Sequence, residues 1–245
     1  MADPRLIGVG VGPGDPELLT LAGLRALRAA DRVFVPVLAA DEQGRAEAVV
    51  RAHVDDATTV ERLVFALADP VAGPQQRRRR HWDAAAERVA EHLTGGTSAV
   101  FATIGDPAIY STFGYLAATV RELVPNVIIT TVPGITAMQA AASAAGITLV
   151  EGAEPLTVLP VARNVTAVAE ALGRHGTVVA YKGGRRLREL RAEIERAGAL
   201  DRAVYAEHLG TEDERVRPLS EVDDDAPYLS TIVVLPSRGR RGEQL

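Results

Sequence analysis

Apolar positions along the chain fall into two alternating patterns. Short apolar runs at residues 6–11, 32–37, 58–65, 98–103 and 126–132 have strand length and end in turn residues, so they read as buried strands. Between them lie helical patterns at residues 16–30, 45–53, 82–93 and 109–123; in the first, Leu18, Leu21, Leu24 and Leu27 recur at near-helical spacing. Residues 71–80 read as a polar loop. Strands alternating with helices predict a parallel sheet with right-handed crossovers. Pro133-Gly134 marks a boundary, dividing the chain into 1–133 and 134–245. Beyond it, residues 135–145, 165–172 and 186–197 read as helices and 156–160, 177–181 and 203–207 as strands. Residues 214–219 and 228–235 suggest a hairpin-like pair around the acidic turn of Asp223, Asp224 and Asp225. The expected architecture is α/β with two α/β domains, the N-terminal sheet mainly parallel and the C-terminal sheet mixed. The polar residues 237–245 read as a disordered end.

The composition, 24% charged and 47% hydrophobic over 245 residues, is that of a globular protein and leaves this picture unchanged. A net charge of −5 disfavours wholesale nucleic-acid binding. The absence of cysteine excludes disulfides, thiolate zinc sites and cysteine nucleophiles. No apolar run approaches the roughly 20 residues that span a bilayer. The opening MADPRLIGVG carries an acid and enters a strand at once, unlike a secretory signal, so a cytoplasmic setting is expected.

Candidate chemistry concentrates where strands meet helices, the usual ligand edge of α/β proteins. Gly-Asp-Pro stands at two such joints, in GVGVGPGDP (residues 8–16) and in TIGDP (residues 103–107). At each, Gly permits a tight turn, Asp can cap a helix and Pro suits its first position. The first joint fails as a dinucleotide fingerprint, because Pro13 or Asp15 falls where Gly-x-Gly-x-x-Gly needs its last glycine. Pro13 also has no N–H to offer a pyrophosphate, and no Lys-Ser/Thr follows to make a P-loop. A turn with a helix cap accounts for this joint as well as a ligand loop does. At the second joint Asp106 reads as a helix cap whose backbone still faces the crevice, with Tyr110 one helical turn on. VPGITA (residues 132–137) reads either as a linking turn or as a polar ligand loop through Thr136. Arg77, Arg78, Arg79 and Arg80 form the densest basic stretch, either a solvated loop or an anchor for a polycarboxylate. His53, His81, His92, His175 and His208 make no metal-binding spacing, and no Gly-x-Ser-x-Gly elbow is present.

Three segments in order, GVGVGPGDPELLTLAGLRALRAAD, TIGDPAIYSTFGYL and VPGITAMQAAASAAGI, resemble the tetrapyrrole methylases. EGAEPLTVLP, AEHLGTEDERV and PYLSTIVVLP extend the resemblance to nearly the whole chain, and the combination is most similar to the branch that methylates precorrin-2 at C20 in cobalamin biosynthesis. The resemblance implies two α/β domains with S-adenosylmethionine folded into an active-site cleft between them. It implies cofactor contacts at Pro13, Ile104, Gly105, Asp106, Ile109, Thr136, Ala137, Lys182 and Gly210. Lys182, the only lysine, stands where relatives often carry Met, so a backbone contact is the expectation there. The substrate's carboxylates make Arg77 to Arg80 candidate substrate anchors. No metal is expected, and Tyr110, Asp106 and His208 are the candidate proton acceptors. A homodimer and a small-molecule tetrapyrrole substrate are implied, without nucleic acid or membrane. The alternatives are a sibling acting on another ring carbon or on a cobalt-loaded ring, a distant ribosomal RNA-modifying relative, and a catalytically silent nucleotide-binding module.

Overall fold

The computed structural model describes residues 3–55, 57–65, 75–161, 165–222, 226–227 and 229–239, and for residues 75–79 the backbone alone. The chain divides into two compact units, Met1–Thr136 and Ala137–Leu245.

The first unit holds β1 (Arg5–Gly10), α1 (Leu21–Ala29), β2 (Arg32–Val37), α2 (Arg45–Arg51), β3 (Val60–Val64), α3 (Gln75–Leu93), β4 (Ser98–Thr103), α4 (Phe113–Leu123) and β5 (Ile128–Val132). Its sheet has the order β3-β2-β4-β1-β5, every pairing parallel. Side chains alternate between its faces, as the strand period of two requires. Leu6, Phe34, Ala99 and Phe101 pack with α3 and α4 on one face. Val9, Val33, Val35, Val100 and Ala102 pack with α1 and α2 on the other. Gly8 is required on the first face, because a Cβ there would lie 2.5–2.7 Å from the Phe113 ring. Central β1 and β4 send their chains in opposite directions, β1 toward β2 and β4 toward β5. A ligand crevice opens at the carboxyl ends where an α/β sheet switches direction in this way.

The second unit holds α5 (Ala137–Ala145), β6 (Leu156–Pro160), α6 (Thr166–Leu172), β7 (Thr177–Tyr181), α7 (Leu187–Arg196), β8 (Ala203–Glu207), β9 (Arg215–Pro218) and β10 (Thr231–Val234). Its sheet runs β6-β7-β10-β8-β9, parallel only between β6 and β7. Helices α6 and α7 cover one face and α5 packs on the other.

Four local expectations are corrected. Segments β9 and β10 do not pair with each other, since β8 lies between them. All four residues of β10 are buried, which suits a central strand, whereas β9 is partly exposed at the edge. The stretch before Trp82 is helical from Gln75 rather than a polar loop, in keeping with the helix propensity of Gln and Arg. The first helix begins at Leu21, capped by Thr20, whose Oγ1 accepts from the Gly23 N–H at 3.0 Å, and Pro16–Leu18 forms a separate 3-10 turn. The helix expected from residue 109 begins at Phe113. The Ser111 hydroxyl accepts from the Phe113 N–H at 3.1 Å, and Tyr110 has φ 51°, which no helix continues through.

Candidate active site

The carboxyl ends of three adjacent strands, β4, β1 and β5, are fastened together just beyond the sheet, the first two by backbone and the third by a side chain. The N–H of Val11 donates to the Thr103 carbonyl at 2.9 Å. One step further, Gly105 N–H donates to the Gly12 carbonyl at 2.7 Å and Gly12 N–H returns a longer bond to Gly105 at 3.4 Å. The third loop is tied in by a side chain: Asp106 Oδ2 accepts from the Gly134 N–H at 2.9 Å. The other carboxylate oxygen, Oδ1, accepts from the Ala108 N–H at 2.8 Å and holds the turn that follows.

Glycine is dictated at two of these points by space. A Cβ on Gly10 would lie 2.5 Å from the Gly105 oxygen and 2.7 Å from Gly134 N. A Cβ on Gly134 would overlap the same Gly105 oxygen and lie 2.7 Å from the Gly10 carbonyl carbon. Gly105 differs. Its φ is +70°, yet a Cβ there would meet nothing within 4 Å. Gly105 is therefore needed for its conformation, and beside it lies open space. Those residues fit a ligand that approaches the main chain closely, as the cofactor implied by the sequence would.

Around this lock, Pro13 is buried, Ile104 is half-buried against the α1–α2 face, and Ile109 is 36% exposed. Thr136 is buried at the end of the first unit. Asp106 does not cap α4, which starts seven residues later; it is a bracket between two loops. Tyr110 is 42% exposed, and burial of its remainder pushes the phenol pKa up. Arg80 is exposed near the start of α3, while the side chains of Arg77, Arg78 and Arg79 lie outside the described residues.

In the second unit, Ala137 opens α5, and the neighbouring Met138 N–H donates to the Tyr181 hydroxyl at 2.9 Å. Lys182 follows β7 directly with φ 61°, and its N–H donates to the Ser230 carbonyl at 3.2 Å. Burial holds its ammonium pKa below the usual lysine range. His208 follows β8 directly with φ 52°. Thr231 of β10 pairs with both Tyr181 and Ala206, so Lys182 and His208 stand at one sheet edge on either side of β10. Within β8, the buried Tyr205 hydroxyl donates to Glu207 Oε2 at 2.7 Å, and burial pushes the Tyr205 pKa up. Gly210 has φ 73°, and its N–H already donates to Glu214 Oε2 at 2.7 Å. A ligand at Gly210 would therefore meet its Cα or carbonyl.

Among the described residues, Tyr110, Lys182 and His208 are the non-glycine residues in the left-handed region. A left-handed conformation costs such residues about 1–2 kcal/mol each, and strain of this kind gathers at functional sites. All three occur in loops at the carboxyl ends of strands. No sequence pattern marks a strained backbone, so this feature was not legible. Gly10 and Gly134 were also missed as close-approach positions, though their glycines in GVGVG and VPG were the available signal. Among the described residues, no three His, Asp or Glu side chains cluster as metal ligands, and no helix is long and apolar enough to cross a membrane.

Comparison with known proteins gives a consistent picture. The family model of the tetrapyrrole (corrin/porphyrin) methylases matches residues 5–223. The chain is 34% identical to a precorrin-2 C(20)-methyltransferase from Sinorhizobium, over 94% of each chain. It is 27% identical to the cobalt-precorrin-2 C(20)-methyltransferase of Salmonella typhimurium, over 94% of this chain and 95% of that one. Its fold is similar to the crystal structure of the methyltransferase CobJ, with a TM-score of 0.71 at 19% identity, covering 97% and 96% of the two chains.

Proposed function

The chain belongs to the tetrapyrrole (corrin/porphyrin) methylases, and we propose that within this family it methylates carbon 20 of precorrin-2 to give precorrin-3A in cobalamin biosynthesis. The observation that carries the substrate is the 34% identity to the Sinorhizobium enzyme across 94% of both chains.

S-adenosylmethionine, when bound, would supply an electrophilic methyl group on a sulfonium sulfur. The residues assigned to hold it in the first unit are Pro13, Ile104, Gly105, Asp106, Ile109 and Thr136. The open space beside Gly105 is the feature that supports this assignment. Ala137, Lys182 and Gly210 are assigned by their sequence positions. Asp106 acts through its bracket, keeping the Gly105 loop against Gly134. The protein's contribution is alignment and exclusion of water.

The methylated ring carbon must then lose a proton. Each carboxylate oxygen of Asp106 already accepts a backbone N–H, and a raised pKa keeps Tyr110 a phenol. Of the three candidates, His208 carries the side-chain type that exchanges a proton near neutral pH, and it is the acceptor in this proposal. His208→Gln should lower kcat and leave cofactor Kd unchanged; unchanged kcat would remove it from this role. Arg77, Arg78, Arg79 and Arg80 are assigned to substrate carboxylates. Changing all four to Ala should raise KM for the tetrapyrrole far more than for the cofactor.

The deciding experiment is incubation with precorrin-2 and methyl-labelled cofactor, followed by carbon NMR of the product. Label at C20 is expected. Label at another carbon overturns the substrate assignment, and cofactor binding without any transfer points to a silent nucleotide-binding module. A homodimer in the cytoplasm is part of the same proposal, and a monomer in sedimentation velocity would overturn the dimer.

A further inference from the structure

Helix α3 has 19 residues and is therefore about 28 Å long, whereas the six-residue strands of its sheet span about 20 Å. Its last turn is tied to the start of β4, where His92 Nε2 lies 3.2 Å from the Ser98 carbonyl oxygen. The excess length therefore projects at the other end, beyond the carboxyl edge of the sheet. By that reckoning the projecting part is residues 75–79, and Arg80 and Trp82 lie on the next turn, about level with the carboxyl edge. The start of α4 reaches the same edge and presents Tyr115.

Trp82 and Tyr115 stack, with ring centroids 4.6 Å apart and planes 20° from parallel. Only the Trp82 side of the pair packs into the core, and Tyr115 remains 60% exposed. Ile109 and Tyr110, in the loop leading to α4, are also exposed large apolar residues. An exposed aromatic ring of this size, stacked on a second aromatic, offers a flat apolar binding surface. The Trp82 Nε1 is buried and has no hydrogen-bond partner among the described residues. An unsatisfied buried donor is costly. The exposed Arg80, two residues before Trp82, supplies positive charge.

A flat aromatic surface beside an arginine suits a ligand that is broad, conjugated and rimmed with carboxylates. We propose that the Tyr115 ring, backed by Trp82, is the face on which the tetrapyrrole macrocycle rests, with Arg80 pairing to a peripheral carboxylate. The inference rests on the proposed function for the identity of the ligand. It adds the residues that recognise the ring.

Trp82 is the single tryptophan of the chain, so its emission reports on the site directly. Titration with uroporphyrin III, a stable tetrapyrrole octacarboxylate, should quench it. Tyr115→Ala should weaken uroporphyrin binding and raise KM for precorrin-2 about tenfold, while Tyr115→Phe stays near wild type. The Kd for S-adenosylhomocysteine should remain within about twofold in both. Tenfold corresponds to about 1.4 kcal/mol, within the range of one ring stacked on an aromatic side chain. Uroporphyrin affinity unchanged in Tyr115→Ala overturns the proposal, and so does a variant that becomes monomeric with tetrapyrrole affinity intact, which would make the stack a contact between copies. If Tyr115→Ala does not fold, Arg80→Ala replaces it, with weaker uroporphyrin binding expected and unchanged binding again decisive against. A wild-type protein that methylates no tetrapyrrole would overturn the proposed function instead, while the uroporphyrin titrations still decide the binding face.

Discussion

Gly14-Asp15-Pro16 and Gly105-Asp106-Pro107 share their three residues and one local bond. In each, aspartate Oδ1 accepts at 2.8 Å from the backbone N–H two positions on, that of Glu17 or Ala108. The difference lies in the other oxygen. Asp106 Oδ2 reaches 28 residues along the chain to Gly134, and Asp15 makes no such bond among the described residues. One tripeptide thus closes a 3-10 turn, and the other fastens two strand ends together. A motif's local geometry repeats with its letters, but its role depends on what its second functional group can reach.

The largest effect should come from Gly134→Ala, since its methyl group would overlap the Gly105 carbonyl and nothing in the surrounding backbone can yield cheaply. A loss of about 3 kcal/mol or more is expected from overpacking at so tight a point. Denaturant unfolding measures it, and calorimetry should find no binding of S-adenosylhomocysteine. A variant of wild-type stability would mean that the three loops are not locked.

Asp106→Ala comes next. Losing two charge-assisted bonds to backbone should cost about 2–3 kcal/mol and raise the cofactor KM at least tenfold. Turnover at saturating cofactor should survive. A collapse of kcat with normal cofactor affinity would instead place Asp106 in the chemistry. Gly105→Ala separates space from conformation. With no atom within 4 Å of the added methyl group, only the left-handed φ is penalised, at about 1–2 kcal/mol. Cofactor binding should fall by much more than stability does, because the methyl group occupies the open space. Equal losses in both would refute a cradle there. Asp15→Ala should have the smallest effect, about 1 kcal/mol for a lost cap, with cofactor affinity unchanged. A cofactor effect as large as that of Asp106→Ala would erase the distinction between the joints.

Much of this protein was legible before its structure. Strands β2, β4, β6, β7 and β8 lie at the limits their apolar runs indicate, because buried strands need continuous apolar sequence and end at turn residues. The parallel first sheet follows from the same alternation, whereas the mixed second sheet is expected from a β9–β10 hairpin that does not form, its antiparallel pairs being β7–β10, β10–β8 and β8–β9. Errors arose where a polar sequence fits two states, as at Gln75–Arg80, or where pairing is non-local, as at β9 and β10. Neighbours in sequence make the economical guess, yet the wholly buried Thr231-Ile232-Val233-Val234 needs partners on both sides and takes the central place between β7 and β8.

By itself, then, the sequence determined the α/β class, most elements, the position of both Gly-Asp-Pro joints and the family. Each of these depends on local pattern or on motif order. Tertiary structure alone decided that Gly10 and Gly134 are fixed by their contact with the Gly105 carbonyl, that Asp106 spans two loops, that Trp82 lies under Tyr115, and that Tyr110, Lys182 and His208 are held left-handed. These features arise between segments distant in the chain, or from a conformation that packing imposes against local preference. Residue identity permits such arrangements, and only the packed neighbours select them.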